Sequence, residues 1–326
     1  MPLLKRKYRL VVGKPPITTI TTEYITEDEV FGQLFIPKEN DYRTVTLNAV
    51  EITELDINAT ISSKAGGKNS SSVIKIYNLS EDTRNIVERV NNYVILEAGY
   101  ASDEELKVVF TGQVSEFFTE NVGEDLVTTL QCKDGYIPNN TLRVDKFFPA
   151  GVTADTIFKY IIDQYKKVGV PLGFYSGFSD KKERVEYVQL PMPQDTTFYM
   201  GYTLTGYLWD ELKDLTKSLG YVCYITNGRL FIHPKGFTRA VEQFEVDHSQ
   251  IYSIKKSGKA NNNTTGKSDT GVNISLPLDA RMDVDKQIKV IGGDFEGVYK
   301  IMERSFNISI FDGNFDTNLV CKSVEA

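Results

Sequence analysis

The sequence predicts a mainly β chain with an α/β insertion, in which two similar antiparallel β modules flank a helix-containing middle segment. Three observations carry this. Tyr and Phe number 18 each, β-branched residues are abundant, and the hydrophobic period is mostly two. Only three segments carry a helical stripe. A strand pattern from the first third of the chain also recurs near the C-terminus. The 326 residues exceed one minimal core, and the usual size scaling gives roughly two or three domains. We place them at 1–145, 146–235 and 236–326, the last open to borrowing strands from the middle segment.

Taken in order, residues 1–40 match no element. Residues 45–61 and 72–78 are strand-like, joined by the polar stretch Ser62–Ser71, which reads as a flexible projecting loop. The first helix follows Ser80, a capping residue. Glu81 and Asp82 suit its positive end, and Ile86, Val87, Val90 and Tyr93 form a narrow stripe. Residues 93–99, 106–119 and 125–133 continue the sheet. The second helix runs from Thr153 to about Val168, with Ile157, Phe158, Ile161, Ile162 and Tyr165 on one face and Gly169 and Pro171 stopping it. The third spans Thr205 to Leu219, its leucines spaced as one face, and Gly220 ends it. Asn227-Gly228 between Tyr221–Ile225 and Arg229–Ile232 marks a type I′ hairpin. The stretch 258–271 has no apolar side chain of branched or aromatic type, and reads as a mobile loop between strands.

The repeat is weak but ordered. Val94-Ile95-Leu96, Phe110-x-Gly112 and Leu130-x-Cys132-Lys133 are answered by Ile288–Ile291, Phe295-x-Gly297 and Leu319-x-Cys321-Lys322. Both read as strand, turn, F-x-G, long hairpin and closing strand, the mark of a duplicated module. Two related modules per chain would let three copies form a ring with six similar positions. The alternative is a pair of unrelated sandwich domains in a monomer.

Composition narrows the chemistry. No stretch reaches the ~18 apolar residues of a membrane helix, and the N-terminus lacks the apolar core of a secretory signal. The net charge of −7 argues against gripping nucleic acid over the whole surface. Cys132, Cys223 and Cys321, odd in number and set in apolar runs, read as buried reduced thiols. Two histidines without ligand spacing make a zinc site improbable, and no cofactor is implied. Asp247-His248 lacks a nucleophile pattern and reads as a turn; His233 before Pro234 reads as a satisfied strand-edge residue. The segment Asp312–Asp316 opens like a calcium loop, but Thr317 stands where glycine belongs and Ser323 where the bidentate Glu belongs, so it reads as a β-turn. Gly292–Gly297 lacks Walker spacing and a following helix, and reads as a hairpin turn. No catalytic residue is assigned.

The run Val73-Ile74-Lys75-Ile76-Tyr77-Asn78-Leu79-Ser80-Glu81-Asp82-Thr83-Arg84-Asn85-Ile86 resembles a recurrent stretch of the baseplate hub proteins of contractile-tailed bacteriophages, where a strand ends in an "IYNLS" turn and leads into a short helix. Val94–Tyr100 and Val109–Val114, with the "F-x-G-x-V" strand, resemble the same proteins. The likeness covers roughly residues 45–135, and more loosely 150–326. It implies two tube-like antiparallel β-barrel modules and a homotrimer forming a pseudo-sixfold ring. Such a ring would join the tail tube, or a tube-adaptor protein, to the central spike, contact baseplate wedge proteins, and let DNA pass without binding it specifically. It further implies a virion protein of the tail baseplate, assembled in the host cytoplasm, with no stable membrane insertion. The acidic first part of the chain would suit walls that do not trap a passing polyanion. In tube-like modules, hairpin extensions reach a neighbouring subunit, which makes Lys64, Lys68 and Asn69 the expected inter-subunit contacts. The alternatives are a tail-tip cell-wall hydrolase, needing two carboxylates roughly 5–10 Å apart, and a host-glycan-binding β module.

Overall fold

A computed structural model describes residues 5–13, 49–65, 68–175, 195–235, 243–259, 269–311 and 313–324. The stretch 1–40 lies outside these apart from its first strand, as do Asp312 and residues 260–268 of the second polar stretch. The first module contains β1 (Arg6–Gly13), β2 (Ala49–Ile52), β3 (Ile57–Lys64), β4 (Lys68–Tyr77), α1 (Glu81–Val87), β5 (Tyr93–Tyr100), β6 (Lys107–Val122) and β7 (Asp125–Lys133). Then follow α2 (Tyr136–Thr141) and β8 (Arg143–Phe148), which crosses residue 146, and in the middle segment β9 (Val152–Thr153), α3 (Ala154–Lys167), β10 (Leu172–Tyr175), β11 (Thr197–Phe198), β12 (Tyr202–Tyr207), α4 (Leu208–Ser218), β13 (Tyr221–Thr226) and β14 (Arg229–Pro234). The last part contains β15 (Gln243–Asp247), β16 (Ser253–Lys259), β17 (Asp269–Pro277), β18 (Gln287–Ile291), β19 (Gly297–Ser309) and β20 (Phe315–Ser323). The fold is mainly β, with its longer helices in the middle.

Local chemistry sets the helices. Ser80 caps α1 by accepting from the Thr83 N–H at 3.3 Å, and Thr153 caps α3 by accepting from Thr156 in the same way. Helix α1 stops at Val87, so Val90 is exposed and Tyr93 opens a strand. Gly169 and Gly220 follow α3 and α4 with φ of 80° and 75°. Helix α4 starts at Leu208 instead of Thr205, because Thr205 and Gly206 are held in the β12–β8 ladder. The fourth helix, α2, went unread because Pro138 and two asparagines in six residues give no apolar stripe. Asn227 and Gly228 have φ of 50° and 70°, and Thr226 pairs with Arg229 across the expected two-residue turn.

Two expectations need correction. The strand-like stretch 45–61 is two strands, β2 and β3. The Ser62–Ser71 stretch is not a loop: β3 and β4 run through it, leaving only 65–67 between them, because Ser63 and Ser70 are buried where their hydroxyls are used. Likewise, β16 and β17 enter the second polar stretch from both sides.

Among the described residues thirteen strands form one sheet, whose path runs β16-β17-β20-β19-β3-β4-β7-β6-β5-β1-β2, with β15 and β18 joined at β19. Within it lie two units of the same topology, β3-β4-β7-β6-β5 and β16-β17-β20-β19-β18, antiparallel throughout. Their irregularities coincide. Val114 pairs with Cys132 and the ladder is then bulged before Glu116; Ile301 pairs with Cys321 and is bulged before Glu303. Asn91 and Asp285, both with positive φ (71° and 64°), donate their N–H groups to the carbonyls of Val114 and Ile301. The next residues, Asn92 and Lys286, accept from those same two residues. The L-x-C-K strands are therefore true equivalents. The F-x-G motifs are not: Gly297 corresponds to Phe110. The β5–β6 ladder continues to Ala98 and Lys107, whereas β18–β19 ends at Val290 and Gly297, leaving Phe295 in the turn.

The two units meet edge to edge, with β19 pairing β3 from Glu303–Lys64 to Ser309–Asn58. Phe306, Ile308 and Phe315 are thereby packed into the core of the first unit with Ile57, Ile61, Ile74 and Phe110. A second cluster fills the middle segment, from Val144 to Ile232. A third, around Ile288, Ile301 and Leu319, fills the last unit. Cys132, Cys223 and Cys321 are free and buried, and burial pushes all three thiols up, Cys223 to about 11 and Cys321 to about 12. Among the described residues no helix is long and apolar enough to cross a membrane.

Candidate assembly interface

The three residues expected to reach a neighbour sit at the tip of the β3–β4 hairpin. Lys64 forms an ion pair with Glu303 of β19 at 2.8 Å, directly across the seam. Asn69 turns towards the middle segment: its amide donates to the Asp134 carbonyl at 3.1 Å, and its oxygen accepts the Ile225 N–H at 2.8 Å. Lys68 is exposed. The structure thus gives Lys64 and Asn69 partners inside the chain and leaves Lys68 facing outward.

Around this tip, sequence reasoning missed a buried polar junction between the three parts of the chain. Ser70 links Ser63 at 2.7 Å to Thr226 at 2.8 Å. Arg304 of β19, fully buried, donates to Ser63 Oγ at 2.6 Å and to the Met282 carbonyl at 3.4 Å. It lies 3.3 Å from Asp283 Oδ1 and stacks 4.3 Å from the Phe306 ring centroid. Burial pulls the guanidinium pKa down, opposed by Asp283 and Asp134. Asp134 accepts the Gly228 N–H at the tip of the middle hairpin at 3.0 Å. Burial pushes its carboxyl up to about 7, against the backbone N–H groups of Gly228, Gly135 and Asn227 that pull it down.

A second node lies further along the same hairpin, around Tyr224 and His233. Asp285 accepts from Tyr224 Oη at 2.9 Å, lies 2.9 Å from Lys300 Nζ, and sits 3.3 Å from His233 Nε2. Burial alone would raise its carboxyl, but His233 and Lys300 outweigh it and hold it at about 2. His233 is satisfied, as expected, but it is buried and not at an edge, because β14 lies between β10 and β13. Asp247-His248 and Gly292-Gly293 lie at turns, whereas Phe315 and Asp316 of the third outlying motif already belong to β20. Asp247 caps the short 3₁₀ turn His248–Gln250 through Ser249. Gly292 and Gly293 take positive φ in the β18–β19 turn, and Asp316 bonds Asn307 and Asn318 within its ladder. These nodes tie the two units and the middle segment together.

No protein-family model matches the chain, and no curated protein matches it. Solved structures do. The 43 kDa tail protein of prophage MuSo2 from Shewanella oneidensis aligns with a TM-score of 0.54 at 10% identity, over 83% of this chain and 95% of that one. The fold is that of a phage tail protein. A tail protein from Neisseria meningitidis MC58 aligns at 0.50 and 13% identity, over 84% and 94%. A chain of the lidded Francisella PdpA–VgrG complex aligns at 0.55 and 7% identity, over 99% of this chain and 53% of that one. This chain therefore spans the tail-protein fold almost whole and about half of the Francisella chain. The expectation drawn from the "IYNLS" and F-x-G-x-V segments holds at the level of fold.

Proposed function

We propose that this chain is a non-enzymatic structural component of a phage-type tail, acting as the baseplate hub. Three copies form a ring of pseudo-sixfold symmetry that joins the tail tube, or its adaptor, to the central spike, abuts baseplate wedge proteins, and lets DNA pass through its lumen. It is a virion protein assembled in the host cytoplasm. The observation that carries this reading is the duplication: two five-stranded units of one topology, bulged at matching points, in a single chain. A threefold object that mates with a sixfold one requires that kind of internal equivalence. The tail-protein fold supports the setting, and the PdpA–VgrG complex supports a partner at the spike position.

In this reading, 1–145 and 236–326 are the ring modules and 146–235 is the segment held between them. The tip of the β3–β4 hairpin is the contact element towards the next subunit or ring. Lys68 presents the charge, and Lys64 and Asn69 hold the tip in place. Native mass measurement of the protein, alone and with its spike, tests the proposal together with incubation on purified peptidoglycan. We expect a species of three times 36.8 kDa, at least on the spike, and no release of fragments. Monomers under both conditions, or measurable peptidoglycan cleavage, would overturn it.

A further inference from the structure

We infer that copies of this chain join by strand addition, the outer edge of β16 pairing antiparallel with the distal half of β6 in the next copy, in the register that β3 and β19 already use inside one chain. This deepens the ring reading above and rests on it.

The proximal half of β19 pairs with β18 and its distal half, Glu303–Ser309, with β3. Strand β6 is its counterpart: the proximal half pairs with β5, while Glu116–Val122 has β7 on one side and no described strand on the other. Strand β16 is the counterpart of β3. It has β17 on one side and, among the described residues, no strand on the other. Among the described residues the chain thus contains one filled β19–β3 seam and both halves of a second, unfilled one. An unpaired row of backbone N–H and C=O groups is a template for strand addition.

The duplication dictates the register. Ile74 and Ile274 are equivalent, as are Cys132 and Cys321, because each module pairs them through the same ladder positions. Through β17, Ile254 corresponds to Ala59. Through the matched bulges, Glu116 corresponds to Glu303. Carrying the β19–β3 pairing across sets Glu116 opposite Lys259, Thr119 opposite Lys256, Glu120 opposite Lys255 and Val122 opposite Ser253. The Glu116–Lys259 position is the counterpart of the Glu303–Lys64 ion pair seen inside the chain.

The charges agree with this register throughout: the acidic residues lie on β6 and the basic ones on β16. Glu116, Glu120, Lys255 and Lys256 are exposed, and among the described residues none is in an ion pair. Phe118 and Val122, 41% and 53% exposed on the distal half of β6, would be covered by the added strand. Where the internal seam buries Phe306 against Ile61, the external one sets Thr119 against Lys256, a polar seam suited to a chain that folds alone and assembles afterwards. Such a contact is head to tail, not a twofold pair, and builds a ring where the rotation between copies closes.

Charge reversal tests it on the full chain. Glu120→Lys and Lys255→Glu, each alone, are expected to shift the midpoint of trimer formation about tenfold towards higher concentration, with unchanged melting of the monomer. The double variant Glu120→Lys/Lys255→Glu restores it, because every seam regains opposite charges. A second measurement uses Glu120→Cys/Lys255→Cys, expected to form disulfides between copies and not within one. Trimers that form normally but neither respond to the single reversals nor cross-link at this pair would overturn the seam while sparing the ring. Absence of any ring, with or without the spike, would overturn the ring reading itself.

Discussion

Replacing Arg304 with methionine is expected to cost about 3–5 kcal/mol of unfolding free energy, the range for breaking a buried charge pair by removing one partner. The side chain is fully buried and has three partners: Ser63 on the hairpin of the first unit, and the Met282 carbonyl and, at 3.3 Å, Asp283 in the last unit. Through Ser63 the bonds continue to Ser70 and on to Thr226 in the middle segment. Methionine keeps much of the volume over Phe306 but supplies no donor, leaving the Ser63 hydroxyl and the Asp283 carboxylate with a partner fewer in a low-dielectric site. The double variant Arg304→Met/Asp283→Asn should recover part of the loss, since it removes both charges. Urea unfolding of the two variants and the parent measures this. A loss below about 1 kcal/mol in the single variant would show that the junction does not hold the units together.

Asp285→Asn should be comparably damaging at neutral pH, again about 3–5 kcal/mol, and its pH dependence gives a signature. Asparagine tolerates the positive φ of this position, so the backbone is spared. What is lost is the negative charge between His233 and Lys300 and one of the two acceptor oxygens that Tyr224 and Lys300 use in the parent. The carboxyl is held at about 2 in the folded chain against an ordinary 3.8. Its contribution is therefore complete above about pH 4 and is lost as pH falls towards about 2. The gap between parent and variant should narrow as pH falls from about 4 towards 2. A gap that stays constant on acidification would contradict this assignment.

Much of the fold was legible because it is local. Ser80, Thr153, Gly169 and Gly220 announce helix ends, and Asn227-Gly228 announces its hairpin, through preferences that act within a few residues. The hairpin tip was misread for the opposite reason. Ser63, Ser70 and Asn69 look like loop residues, yet they are spent on Arg304, Thr226 and Ile225, partners more than 150 residues away. The repeat was half legible. Leu130-x-Cys132-Lys133 and its answer mark equivalent strands, but F-x-G slipped by two positions because one hairpin is longer than the other. The better markers of duplication, the twin bulges and the positive-φ pair Asn91 and Asp285, share almost no side-chain identity. They are backbone features that a single sequence does not print.

The account depends on one chain supplying two of six like positions around an axis. End-on electron micrographs of the ring assembled on its spike measure this most directly. We expect threefold averages with six closely similar lobes, two per chain, at a stoichiometry of three chains. Six chains per ring, or three lobes with the second unit lying off the ring, would contradict it.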